Sequence, residues 1–215
     1  MLEILKIKIK SLYKSFGTHS VLDGIDLDIQ QGSSLVILGG SGTGKSVLIK
    51  TIIGLIAPDS GSIIIDDIDT THMTSQTRAD IMRKCGFLFQ SGALFDSLTV
   101  QENITFLAES VHRLSAKARQ EIAADKLESV GLSSKILNFY PSELSGGMQK
   151  RVALARAICS NPEIIFFDEP TTGLDPIMAN IINELIIKIR TNLGATTITI
   201  TTALMDCRSY FVSSQ

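Results

Sequence analysis

Gly39-Gly40-Ser41-Gly42-Thr43-Gly44-Lys45-Ser46 stands between two apolar runs of different rhythm. Before it, Ser34-Leu35-Val36-Ile37-Leu38 is short and almost continuously apolar, as suits a strand buried on both faces. After it, Val47-Leu48-Ile49-Lys50-Thr51-Ile52-Ile53 reads as a helix. Strand, glycine-rich loop and helix in succession satisfy the pattern G-x-x-x-x-G-K-[S/T] in its required context. Glycines let successive backbone N–H groups point inward at phosphate oxygens, and the helix N-terminus adds the positive end of its dipole. In that pattern Lys45 reaches the β- and γ-phosphates of a bound nucleotide, and the Ser46 hydroxyl ligates Mg²⁺. Residues 39–46, with Val47 behind them, are therefore the candidate phosphate site.

Outward from this unit, the N-terminal side reads as antiparallel strands. Residues 4–10 alternate, Gly17-Thr18-His19 can turn, and Ile25-Asp26-Leu27-Asp28-Ile29 alternates again. On the other side, Pro58-Asp59-Ser60-Gly61 marks a turn before a strand at 62–65, a helix at 77–84 and a strand at 85–90. From about 98 to 138 the pattern is mostly helical. Thr99-Val100-Gln101-Glu102 forms a capping box, Ser115 can cap a second helix, and Gly131 can end it. A helix at 147–160 and a strand at 164–167 follow. Asp175-Pro176 then starts a helix that Gly194 can stop, and Ala195–Thr201 is a last β-branched strand. Strands separated by helices imply a largely parallel sheet. The expected fold is α/β, with an N-terminal antiparallel β unit and an inserted α-helical subdomain. One domain spans 1–215, its core at about 1–90 and 155–215 and the helical insert at about 91–154. The final strand is expected at an edge, partly uncovered.

Ile164-Ile165-Phe166-Phe167-Asp168-Glu169 is a buried strand ending in acid. Beside a phosphate loop, Asp168 is placed to hold Mg²⁺ through its shell, and Glu169 to orient or deprotonate an attacking water.

Composition narrows the function. The 215 residues carry a net charge of −2, which gives no electrostatic case for nucleic-acid binding. A mean hydropathy of +0.25 fits either a surface reserved for a partner or a large buried sheet. No apolar run approaches the roughly 18–20 residues needed to span a bilayer. The N-terminus alternates Ile with Lys, a strand rhythm and not that of a signal peptide. Cys85, Cys159 and Cys207 follow no metal pattern and read as reduced thiols serving as small core residues.

Leu144-Ser145-Gly146-Gly147-Met148, followed by Gln149-Lys150-Arg151-Val152-Ala153-Leu154-Ala155-Arg156-Ala157, is by itself a Ser/Gly helix N-terminus and an anion site. Coming after the phosphate loop and before Asp168-Glu169, it resembles the signature motif of ATP-binding-cassette (ABC) ATPases. The resemblance runs from about residue 4 to 201. It implies a P-loop NTPase (RecA-like) core that binds and hydrolyses ATP with Mg²⁺. It further implies that Phe16 stacks on adenine and that Gln90 reaches the metal and the water and senses a permease. Thr172-Gly173-Leu174-Asp175 resembles the D-loop at a dimer interface. Ser145, Gly146 and Gly147 would face the γ-phosphate bound to a second, identical subunit. The implied catalytic residues are Glu169 and Gln90, and the implied metal ligands are Ser46, Gln90 and Asp168.

The string from Phe89 to Asn103, with Met148, is similar to the ATPases of Mla-type lipid transporters, which work with membrane permeases and MCE-domain lipid-carrying proteins. Met148 replaces the commoner Gln, so no polar contact to the neighbouring nucleotide is expected from it. The implied location is cytoplasmic, peripheral on the inner membrane through the permease. A second reading is an ATP-binding regulatory module with impaired hydrolysis. Two further readings are an ABC ATPase for another substrate class and a soluble ABC protein of translation or DNA repair, although the tandem cassettes or large inserts common in the latter do not appear in this sequence.

After the last strand the family pattern has a histidine and then an acid, but Thr202-Ala203-Leu204 stands there. His19, His72 and His112 lie far upstream and read as surface or loop residues. A threonine brings no positive charge and no imidazole N–H, so hydrolysis is expected to suffer. The residues from Met205 to Gln215 leave the family pattern, which reads as a truncated or frameshifted end.

Overall fold

The computed structural model describes residues 4–111 and 114–202. The expected tail departure after Thr202, along with Cys207 and His112, lies outside the described residues.

Two sheets share the work. The first is antiparallel, in the order β2-β1-β4-β5, built from β1 (Leu5–Phe16), β2 (His19–Gln30), β4 (Ser60–Ile65) and β5 (Ile68–Asp69). Its hairpin turns on Gly17-Thr18, with Phe16 paired to His19. His19 is therefore already strand, one residue earlier than the turn reading expects.

The second sheet is parallel, in the order β3-β8-β7-β6, from β3 (Ser34–Leu38), β6 (Cys85–Leu88), β7 (Ile164–Asp168) and β8 (Thr196–Thr201). This corrects the expectation for the last strand. β8 is central, paired on both sides, and every one of its residues is buried. Its β-branched run suits that place, since a strand covered on both faces and paired on both edges needs no polar outer side.

Among the described residues there are six α-helices: α1 (Lys45–Ile52), α2 (Ser75–Arg83), α3 (Val100–Val111), α4 (Ala116–Ser129), α5 (Gly146–Ala157) and α6 (Pro176–Leu193). Their ends follow local chemistry. Thr99 N donates to Glu102 Oε2 at 2.8 Å and Glu102 N to Thr99 Oγ1 at 3.3 Å, the reciprocal box read from the sequence. Ser115 accepts from Ala118 N, Asp175 accepts from Ile177 N and Met178 N, and Gly194 ends α6 in the left-handed region.

Alternation along β7 divides the interior. Ile164 and Phe166 face a core shared with Ile7, Ile9, Ile63, Ile52 and Ile198, which packs α1 between the two sheets. Ile165 and Phe167 face the opposite core, with Val152 and Leu154 of α5, Ile104 of α3, Leu127 of α4 and Ile182 of α6. Cys85 and Cys159 are buried, and burial pushes their thiols up to about 12 and about 11, as expected of inert core residues.

Candidate active site

The loop after β3 is held open by glycine geometry at Gly44. Its φ is +88°, and a Cβ there would meet the Val21 carbonyl oxygen at 2.8 Å. Thr43 Oγ1 donates to Gly40 O at 2.9 Å, and Lys45 Nζ folds back to donate to the carbonyls of Gly39 at 2.6 Å and Gly40 at 2.7 Å. Two carbonyls of the loop, those of Gly39 and Gly40, are thus bonded within it. Gly39 N itself bonds Thr201 O at 3.3 Å, tying the loop to β8.

A cleft of about 550 Å³ opens over this loop. It is lined by Phe16, Ser41 to Val47, Gln90, Asp168 and Glu169, so β1, the phosphate loop, the turn after β6 and the end of β7 converge there. Gly39 and Gly40 lie behind the lining and serve as acceptors for Lys45. Ser145, Gly146 and Gly147 do not line the cleft. They form the N-terminus of α5, with Ser145 Oγ accepting from Met148 N at 3.4 Å.

His19, Val21, Thr172, Ile200 and Thr202 also line the cleft. The upstream position of His19 in sequence concealed this. Its register opposite Phe16 was the available signal, because a tight hairpin brings any residue paired with Phe16 to the same mouth.

Phe16 is 50% exposed, with Lys14 Nζ 5.4 Å from its ring centroid. An exposed aromatic at the rim of a polar cleft offers a stacking face to a planar ligand.

At the acidic end, burial raises the Asp168 carboxyl above the usual carboxylate range and the neighbouring Glu169 raises it further, while Lys50, Lys150 and Lys45 pull it down. A carboxylate short of compensating charge, beside the Ser46 hydroxyl and the Gln90 side chain, makes a set of hard oxygen donors that fits Mg²⁺. Glu169 is 8% exposed, in the left-handed region at φ +48°, with its N–H bonded to Ile200 O at 2.9 Å.

Lys150 of α5 is 6% exposed. Its Nζ donates to Gln90 O and, at 3.5 Å, to Glu169 O. Burial lowers its pKa, with Asp168 and Glu169 opposing. Arg156 donates to Gly92 O and Ala93 O at 2.7 Å each. Helix α5 is thereby pinned to the turn carrying Gln90.

The family profile described as ABC transporter matches residues 22–172. The chain belongs to the ABC transporter family of ATP-binding cassettes. It is accordingly an ATPase cassette whose cofactors are ATP and Mg²⁺. It is 42% identical over 196 residues to the probable ribonucleotide transport ATP-binding protein mkl of Mycobacterium leprae, covering 91% of the chain and 56% of that protein. It is 38% identical to the intermembrane phospholipid transport system ATP-binding protein MlaF of Haemophilus influenzae, covering 90% of the chain and 73% of that protein. The cassette MJ0796, solved as a dimer in a post-hydrolysis state with ADP and Pi, superposes with a TM-score of 0.85 at 33% identity, covering 94% of the chain and 90% of that structure. This cassette thus spans little more than half of the mycobacterial relative, 56% of its length. Among the described residues, no helix is long and apolar enough to cross a membrane.

Proposed function

We propose that this cassette is the ATPase subunit of a membrane transporter, and that two copies close on Mg-ATP to drive a permease. One observation carries the reading. Phe16, residues 41–47, Gln90, Asp168 and Glu169 share one cleft, while the Ser145-Gly146-Gly147 helix start stands outside it. A bare helix N-terminus is an anion site with no anion of its own subunit to serve. A second copy supplies one.

In this reading the adenine stacks on Phe16, and the loop amides of Gly40 to Ser46, with Val47 behind, cradle the phosphates, while Gly39 anchors the loop to β8. Lys45 exchanges its hold on the Gly39 and Gly40 carbonyls for the β- and γ-phosphate oxygens. Ser46, Asp168 and Gln90 would hold Mg²⁺, which supplies neutralisation of phosphate charge. Glu169 takes a proton from water as the water oxygen bonds to the γ-phosphorus and the bond from that phosphorus to the bridging oxygen breaks. ADP and phosphate leave, and the dimer loses its link.

The lipid reading rests on the likeness to MlaF and on the Phe89 to Asn103 string. It places the cassette peripherally on the inner membrane, bound to a permease and an MCE-domain lipid-binding protein. A phospholipid is the proposed cargo. The likeness to a protein named for ribonucleotide transport keeps another substrate class as the alternative. Thr202 supports a second reading, a regulatory module that binds ATP and scarcely hydrolyses it. The subdivision into a core at 1–90 and 155–215 with a helical insert at 91–154 belongs to this proposal as well.

Purified Glu169→Gln protein should bind ATP and dimerise without releasing phosphate. Turnover equal to the unaltered chain would remove Glu169 as the base, and nucleotide binding without turnover in the unaltered chain would favour the regulatory module.

A further inference from the structure

We propose that Thr172 is a positioning residue for the Glu169 carboxylate, assisted by Thr202, and that together they fix which oxygen accepts the proton. The inference rests on Glu169 acting as the base.

Thr172 Oγ1 donates to Glu169 Oε2 at 2.8 Å. From the end of β8, Thr202 Oγ1 stands 3.4 Å and Thr201 Oγ1 3.5 Å from the same oxygen. Hydroxyls on two elements, the turn after β7 and the end of β8, thus converge on Oε2. Only the Thr172 contact has the length of a well-formed O–H···O hydrogen bond, and the two from β8 are at the outer limit. Backbone geometry prepares this arrangement. Glu169 sits at φ +48° with its N–H on Ile200 O at 2.9 Å, and Thr172 N returns to Glu169 O at 3.3 Å. The turn therefore holds Thr172 beneath the carboxylate it bonds.

A glutamate side chain otherwise turns freely about its last bond and offers either oxygen. Anchoring Oε2 stops that rotation and leaves Oε1 as the oxygen that takes the proton from water. Orientation of this kind raises the rate of the chemical step without changing nucleotide affinity. It also gives Thr202 a use at a position where the family has an imidazole. Its hydroxyl cannot meet the γ-phosphate as a cation, but it can help to hold the base.

The test is steady-state phosphate release by the purified chain with Mg-ATP, alongside ATP binding and thermal melting. Thr172→Val should lower kcat about tenfold and Thr202→Val about threefold, with KM for ATP unchanged, as expected for an orientation effect. Thr172→Ser should restore the rate, because the hydroxyl is what matters, and Thr172→Ala serves in place of valine if that variant misfolds. In a Glu169→Gln background, Thr172→Val should change nothing further. If Glu169→Gln turns over normally, the base assignment fails and this inference with it. If Glu169→Gln is inactive while Thr172→Val keeps the full kcat, this inference alone is overturned. A rise in KM parallel to the fall in kcat, no rescue by serine, or no turnover in the unaltered chain overturns it too.

Discussion

Lys6 Nζ lies 2.6 Å from Asp66 Oδ1, and the lysine is only 4% exposed. The same ammonium bonds Glu163, and Lys84 pairs with Asp66 at 2.6 Å. Lys6 belongs to β1, Asp66 to the turn between β4 and β5, and Glu163 immediately precedes β7. This charge cluster therefore joins the antiparallel sheet to the parallel one.

Asp66 gives that cluster a pH dependence. Burial acts to raise its pKa, but hydrogen bonds from Lys6 and Lys84 outweigh burial and leave it below the usual carboxylate value. A carboxyl with a depressed folded pKa contributes stability above its unfolded pKa, of about 4, and loses it as pH falls through the folded value. Asp66→Asn should cost about 1.5–3 kcal/mol at neutral pH, and the difference from the unaltered chain should shrink below about pH 4. Urea denaturation at both pH values checks this. An equal difference at both would contradict it.

Lys45 carries a prediction about binding. Its ammonium donates to two carbonyls of the phosphate loop, those of Gly39 and Gly40. Lys45→Met removes the charge that the phosphates would take over. ATP affinity should fall about 30-fold or more, equivalent to about 2 kcal/mol. Titration calorimetry measures it, and an unchanged Kd would dismiss the proposed cradle.

Much of this site could be read from the sequence because its signals are local. The glycines, Lys45 and Ser46 lie within one loop, and Asp168-Glu169 ends one strand, so flanking apolar runs were enough to place them. The position of β8 could not be read this way. Its threonines and isoleucines say β-branched and buried, whereas its central place depends on pairing with β3, more than 150 residues earlier in the chain. Lys6 with Glu163 and Glu169 with Thr202 are likewise meetings of distant residues. Only hairpin register, as for Phe16 and His19, lets such proximity be inferred from nearby residues.

Gly147 separates function from folding. A Cβ there would meet Met178 Cε at 2.5 Å, the far end of a flexible side chain that can move aside. Alanine near the start of α5 also loses less conformational entropy on folding than glycine does. Gly147→Ala should therefore melt within a few degrees of the unaltered chain. If the helix start receives the partner's γ-phosphate, ATP-driven dimerisation should nevertheless fall about tenfold, since an added methyl group blocks the close approach of the amides. Sedimentation with and without ATP decides it, and intact dimerisation would count against the trans site.

Phe16 allows the stacking role to be separated from a core role. The ring is half exposed, so Phe16→Ala should leave stability within about 0.5 kcal/mol, as for other surface changes. Base stacking on an aromatic contributes about 1–3 kcal/mol, so ATP affinity should drop about tenfold, and Phe16→Tyr should preserve it. Because every base presents a π-face, GTP should lose affinity by the same factor as ATP. Parallel titrations with both nucleotides test this directly. A loss confined to ATP would mean that Phe16 works through an edge contact, and a large drop in melting temperature would return it to the core.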